Sequence, residues 1–235
     1  MDQLQPCIRQ RVRADVCCAL IAVLLPAAAQ EEQQNETRSF SPDRKWEYRA
    51  SGHKAVLVKA GSDEPVLKIC DPDDSEDPCG SLEVASGKLV WAPDSRRFAF
   101  NCRKGGKYYG CMLFELAGTS WRKIPDLEGA PSKPVDALIN KSLDKQRQRL
   151  HTKKDTPSNE VMTRWRVRRW LDNDSFEAYG NDERSLALDA DGDRVEYFGC
   201  AVLFTGKCDN RGRWKVVSTR VLSEAEDNKL SEQDE

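Results

Sequence analysis

Apolar and polar positions alternate along this chain in short runs, and one phrase punctuates them. Phe40-Ser41-Pro42-Asp43-Arg44-Lys45-Trp46-Glu47-Tyr48 returns 51 residues later as Trp91-Ala92-Pro93-Asp94-Ser95-Arg96-Arg97-Phe98-Ala99-Phe100. In each copy an aromatic and a small residue lead into Pro-Asp, and an alternating strand follows. Proline sets φ at the second turn position and the Asp carboxylate accepts turn N–H groups, so the next strand leaves in a defined direction. A looser third copy is Trp170-Leu171-Asp172-Asn173-Asp174-Ser175-Phe176-Glu177-Ala178-Tyr179.

A second element repeats in step. Val56-Leu57-Val58-Lys59-Ala60-Gly61 leads to Val66-Leu67-Lys68-Ile69, and Met112-Leu113-Phe114-Glu115-Leu116-Ala117-Gly118 leads to Trp121-Arg122-Lys123-Ile124. Val202-Leu203-Phe204, then Gly212 and Trp214-Lys215-Val216-Val217, form the third copy. Each unit reads as a four-stranded antiparallel meander. Between the second and third, Val135, Leu138, Ile139, Leu143 and Leu150 fall on one helical stripe, with Ser132 at the N-cap and Pro134 in the first turn. That helix is expected to cover an exposed sheet edge.

The phrase Leu89-Val90-Trp91-Ala92-Pro93-Asp94-Ser95-Arg96-Arg97-Phe98-Ala99-Phe100 resembles the blade signature of TolB-like and related WD-type β-propeller repeats in exported bacterial proteins. The resemblance covers residues 40–124 and, more loosely, 163–221. It implies a binding scaffold more than any chemistry. Propellers usually have roughly four to eight blades, so three units imply a partial propeller, closure by oligomerising as a homodimer, or a sandwich of meanders. The expected fold class is all-β: three tandem four-stranded antiparallel meanders, partial β-propeller-like, with one inserted α-helix.

The front of the chain reads as an address. Arg9, Arg11 and Arg13 precede the apolar run from Val16 to Leu25, and Pro26-Ala27-Ala28-Ala29 supplies small residues at a cleavage site. The run is shorter than the roughly 20 residues of a spanning helix, so no membrane span is expected after cleavage. The expected order is a cleavable signal peptide over 1–29, a linker over 30–39, two repeats over 40–130, a helical insertion over 131–160, the third repeat over 161–222 and an acidic tail over 223–235. The tail is read as a frayed helix or a solvated end. The destination is the periplasm or the exterior.

Export changes the reading of the cysteines. Of nine, Cys70, Cys79, Cys102, Cys111, Cys200 and Cys208 lie beyond the signal, and structural disulfides are the default in an oxidising compartment. Their spacings are too wide for zinc pairs about two to four residues apart. Cys70 with Cys79 and Cys102 with Cys111 bracket loops that could close locally. Cys200 and Cys208 read as two ends of one strand, about 27 Å apart at about 3.4 Å per residue, so a bond there needs a bend.

Composition removes several functions. The chain has 39% apolar and 32% charged residues and a net charge of -2, which excludes a strongly basic nucleic-acid binder and a polytopic membrane protein. Only His53 and His151 are available to a His-dependent triad, and no nucleophile elbow, P-loop, dinucleotide fingerprint or zinc-protease motif occurs. The protein is therefore expected not to be an enzyme, a carboxylate-based hydrolase being the lesser alternative. Asp189, Asp191 and Asp193 alternate around Gly192, and Glu196 could add a fourth carboxylate, so calcium is the one cofactor considered. The plain alternative is an Asp-Gly turn. The loop Asp71 to Asp77 is a second, weaker calcium candidate.

Charge is also segregated. Ser132 to Trp170 carries eleven Lys and Arg against four acids, whereas Leu171 to Glu235 carries eight against sixteen. In the strand around Trp165, alternation puts Arg164, Arg166 and Arg168 on one face. That face is either solvated and paired with the acidic third unit, or a surface for an anionic ligand such as polysaccharide or envelope polymer. Export removes the usual partner of a nucleic-acid reading. The expectation is an exported non-catalytic binding or assembly module with a protein or polysaccharide partner in the cell envelope, a calcium-stabilised structural or adhesion domain being the alternative.

Overall fold

Three Asp-centred turns organise the chain. Asp43 Oδ1 accepts the Lys45 N–H at 3.1 Å, Asp94 Oδ1 accepts the Arg96 N–H at 3.0 Å, and Asp172 Oδ1 accepts those of Asp174 and Ser175 at 2.7 and 2.6 Å. Arg44 and Ser95, at matching places in the first two turns, take left-handed φ values of 58° and 59°. The computed structural model from which these distances come describes residues 37–71, 83–103, 105–150, 158–188 and 194–232. By backbone contacts the chain divides into Met1–Gln33 and Gln34–Glu235, and every described residue belongs to the second. The expected signal peptide, Cys79 and His151 lie outside the described residues. No helix among the described residues is long and apolar enough to cross a membrane.

Each turn opens the second strand of a meander. The first meander runs β1 (Thr37–Phe40), β2 (Trp46–Ser51), β3 (Lys54–Lys59) and β4 (Pro65–Cys70), paired in that order as one antiparallel sheet. The second runs β5 (Glu83–Trp91), β6 (Arg97–Arg103), β7 (Tyr108–Ala117) and β8 (Ser120–Ile124). A short 3-10 turn at Ala130–Ser132 leads into α1 (Lys133–Arg149). The third meander runs β9 (Ser158–Trp170), β10 (Ser175–Ala187), β11 (Val195–Cys208) and β12 (Trp214–Val221), followed by α2 (Glu224–Glu232). A short parallel pairing of Tyr108 and Tyr109 with Thr163 and Arg164 joins the second and third meanders into one eight-stranded sheet. The expected fold class is therefore the observed one. The first meander begins inside the expected linker and the third begins at Ser158.

Strand parity decides how the meanders stack. Phe98, Phe100 and Cys102 of β6 share a core with Tyr48, Ala50, Leu57 and Ile69 of the first meander. Trp121 anchors it, meeting Trp46 edge-on at 5.5 Å and Trp91 at 5.9 Å. Ala99 of β6, with Cys111 and Leu113 of β7, faces the opposite core, where Trp165, Val167, Trp170, Phe176 and Phe204 of the third meander pack. The second meander is thus buried on both sides. The turns touch as well: the Asp43 N–H donates to Ser95 Oγ at 3.0 Å, and Arg97 donates to Asn173 O and Asp174 Oδ1 at 2.9 and 2.6 Å.

Two expectations are corrected here. Cys102, Cys111, Cys200 and Cys208 are buried free thiols, and no cysteine pair occurs among the described residues. The β6–β7 register sets Cys102 opposite Gly110 and Cys111 opposite Asn101. Adjacent rungs point to opposite faces, so the two thiols enter different cores. Cys200 and Cys208 sit on one continuous strand, β11, and remain unjoined. Burial pushes the Cys111 thiol well up, and that of Cys208 to about 12. Cys70 is buried at the end of β4. The second correction concerns α1, whose buried Val135, Ile139 and Leu143 join the core of the third meander, while Gln146 donates to Gly199 O of β11 at 2.7 Å. The helix covers a sheet face rather than an edge. Ser132 occupies the N-cap position, yet its hydroxyl donates to Gly129 O at 2.7 Å instead of capping.

Candidate functional site

Alternation along β9 turns Trp165 and Val167 into the core and leaves Arg164, Arg166 and Arg168 on the other face, as their spacing predicts. Across the sheet, Arg166 stands opposite Tyr179 and Arg164 opposite Asn181 of β10. The Arg166 guanidinium lies 4.8 Å from the centre of the Tyr179 ring, a cation–π distance. Arg164 reaches the Tyr109 ring at 5.8 Å, and Arg103 of β6 reaches the same ring at 5.8 Å.

These side chains meet at a cavity of about 350 Å³ in the junction of the second and third meanders. Lys88 of β5 and Arg103 of β6 contribute from one side, and Arg164, Arg166 and Arg168 from the other. Five cationic side chains thus line one cavity, and among the described residues no carboxylate lines it. Arg168 is turned partly away by Glu177, which accepts from it at 3.2 Å. Arg164 donates to Ser231 Oγ at 3.0 Å and Arg166 to Leu230 O at 3.4 Å, both on α2 and both neutral acceptors.

The walls of the cavity are held by one amide. Asn101 of β6 donates to Val167 O at 2.7 Å and accepts the Val167 N–H at 3.0 Å. One residue's N–H and C=O leave the same edge of a strand. Asn101 therefore satisfies β9 where β7 no longer runs alongside it. Trp170 adds a third tie, its indole N–H donating to Val90 O at 3.0 Å.

A second cavity of about 460 Å³ lies on the far side of α2, against α1 and β11. It is lined by Glu183, Glu224 and Asp227 and by the Cys200 thiol. The helix between the cavities is built by a capping box. Ser223 Oγ accepts the Glu226 N–H at 3.4 Å and Glu226 Oε2 accepts the Ser223 N–H at 2.9 Å. Those bonds, with Arg220, hold the exposed Glu226 carboxyl at about 2. Asp227 then accepts from the Tyr179 hydroxyl, and from Asn181 Nδ2 at 3.1 Å. Burial first, then the Asp227 carboxylate, raises the Tyr179 hydroxyl above its ordinary value. The expected acidic tail is thus a docked helix over most of its length.

The arginine trio is brought together as expected. Lys88, Arg103 and Tyr109 were missed because they come from another repeat and no local pattern marks them. The helix over 224–232 did carry a signal, the Ser223-x-x-Glu226 capping box. Asp189, Asp191 and Asp193 of the calcium candidate lie outside the described residues, as does the loop after Asp71. Glu196 is described, and it stands 3.6 Å from Arg194. Among the described residues no group of three or more His, Cys, Asp or Glu side chains is placed to hold a metal ion.

No family model and no curated protein matches the chain. Among solved structures it is similar to TolB from Acinetobacter baumannii, with 11% identity and a TM-score of 0.28, over 77% of this chain. The chain spans 43% of the length of that protein.

Proposed function

We propose that this protein is an exported, non-catalytic binding module whose cationic cavity takes an acidic polymer of the cell envelope, such as a polysaccharide bearing carboxylate or sulfate groups. One observation carries the reading: Lys88, Arg103, Arg164, Arg166 and Arg168 line a single cavity that no described carboxylate lines. Guanidinium forks suit planar oxyanions, because two parallel N–H groups meet two oxygens. Tyr109 adds an apolar wall against which a sugar ring can lie. The site holds donors and fixed positive charge, which is equipment for holding an anion rather than for breaking a bond.

The test is calorimetric titration with a heparin hexasaccharide and with an oligogalacturonate of similar length, before and after Arg164→Ser, Arg166→Ser and Arg168→Ser together. Hydrogen bonds to charged groups contribute about 1.5–3 kcal/mol each, so the triple variant should bind at least about 30-fold more weakly. The wild-type affinity should also fall as salt rises. Equal affinity in the two proteins refutes the reading.

A further inference from the structure

We propose that α2 is a releasable latch: its last turn occupies part of the anion site, and an anionic ligand enters by displacing it. The inference rests on the anion-binding reading of the cavity and adds how access to it is controlled.

The overlap is direct. Ser231 lines the cationic cavity, and the oxygens that Arg164 and Arg166 hold on α2 are the Ser231 hydroxyl and the Leu230 carbonyl. The last carbonyls of a helix carry partial negative charge. They offer the two guanidiniums a weak version of what a carboxylate or sulfate offers in full. The bonds to Ser231 and Leu230 have one ionised partner and one contact each, whereas a ligand oxyanion adds a full opposite charge and can meet a guanidinium fork with two oxygens at once, so it outcompetes the helix end.

The helix is also built to leave. It has 9 residues, fewer than the about 12–15 at which an isolated helix becomes even marginally stable in water. Its apolar hold is Leu230, partly buried beside Tyr179, Ala201 and Leu222. The 460 Å³ cavity reaches its first turn at Glu224, Asp227 and Asn228, so that turn is incompletely packed. What keeps it docked is polar: Asp227 on the Tyr179 hydroxyl and on Asn181. Tyr179 couples the two events, because its hydroxyl carries the latch anchor and its ring lies under Arg166.

The experiment measures binding of the heparin hexasaccharide to the full chain, with hydrogen exchange of the α2 amides recorded with and without it. Asp227→Ala removes the anchor without touching the arginines, and should tighten binding at least fivefold. Leu230→Ser, which loosens the apolar side, should act in the same direction. Glu224→Ala removes the same charge from the same helix without the anchor, and should leave affinity within twofold. In the wild type, added hexasaccharide should reduce protection across 225–231. The latch is overturned if Glu224→Ala tightens binding as much as Asp227→Ala, or if the wild type binds with α2 protection unchanged. Binding that survives loss of all three arginines removes the anion site itself, and absence of binding by wild type and Asp227→Ala alike removes both. Binding by Asp227→Ala where the wild type shows none supports the latch.

Discussion

Asn101→Ala is the most informative single change to the frame of the cavity. The amide spans from β6 to β9 and satisfies both backbone groups of Val167, a residue 1% exposed. Two hydrogen bonds at about 1 kcal/mol each are lost, and leaving a buried backbone group without a partner costs about 1–3 kcal/mol more. Water entering from the adjacent cavity recovers some of that, so the expected loss is about 2–4 kcal/mol. For a chain of this size 1 kcal/mol corresponds to about 2–4 °C, giving a fall in Tm of about 9 °C. Urea unfolding followed by tryptophan fluorescence measures the free energy, and calorimetry the Tm. A loss below about 0.5 kcal/mol, the size of a neutral surface change, refutes the claim that this side chain joins the two meanders.

Three further outcomes are expected. Gly206 stands opposite Phe176, whose fully buried ring is flanked by Trp170 and Trp214 at 5.4 Å each. A methyl group there overlaps the ring, so Gly206→Ala should cost about 1–3 kcal/mol in urea unfolding, whereas Gly106→Ala, with open space around it, should cost almost nothing; equal costs would sink the packing argument. The Arg49 guanidinium, 2.8 Å from buried Glu47, holds that carboxyl below its ordinary value of 4.5. The folded state then binds its proton less readily than the unfolded one, so the stability from this pair is present above pH 4.5 and is lost as pH falls through the lowered value. The stability gap between wild type and Glu47→Gln should accordingly narrow on acidification, and a gap independent of pH contradicts the sign. Finally, alkylation under denaturing, non-reducing conditions followed by peptide mapping should recover Cys102, Cys111, Cys200 and Cys208 as modified thiols; a linked 102–111 or 200–208 peptide overturns the register argument.

The Asp-centred turns were legible because they are local: one carboxylate and one or two N–H groups decide them within four residues. The same holds for the parity of Arg164, Arg166 and Arg168. The cysteine readings failed at the next level up. Whether Cys102 faces Cys111 depends on how many residues the intervening hairpin uses, and one rung of register sends them to opposite sides. The cavity needed more still, since Lys88 and Arg103 approach β9 only after two meanders have stacked. The face chosen by α1 was hidden for a similar reason, because a stripe of Val135, Ile139 and Leu143 fits an edge or a face equally well.

The second meander, covered on both sides, makes β6 a strand that carries two messages in alternation. Its even-numbered positions, Phe98, Phe100 and Cys102, address the first meander, while odd-numbered Ala99 and Asn101 address the third. Neighbouring substitutions on this strand should therefore loosen different partners. The thiols of Cys102 and Cys111, one in each core, become separate clocks: during unfolding, the first to accept a maleimide names the meander that detaches first.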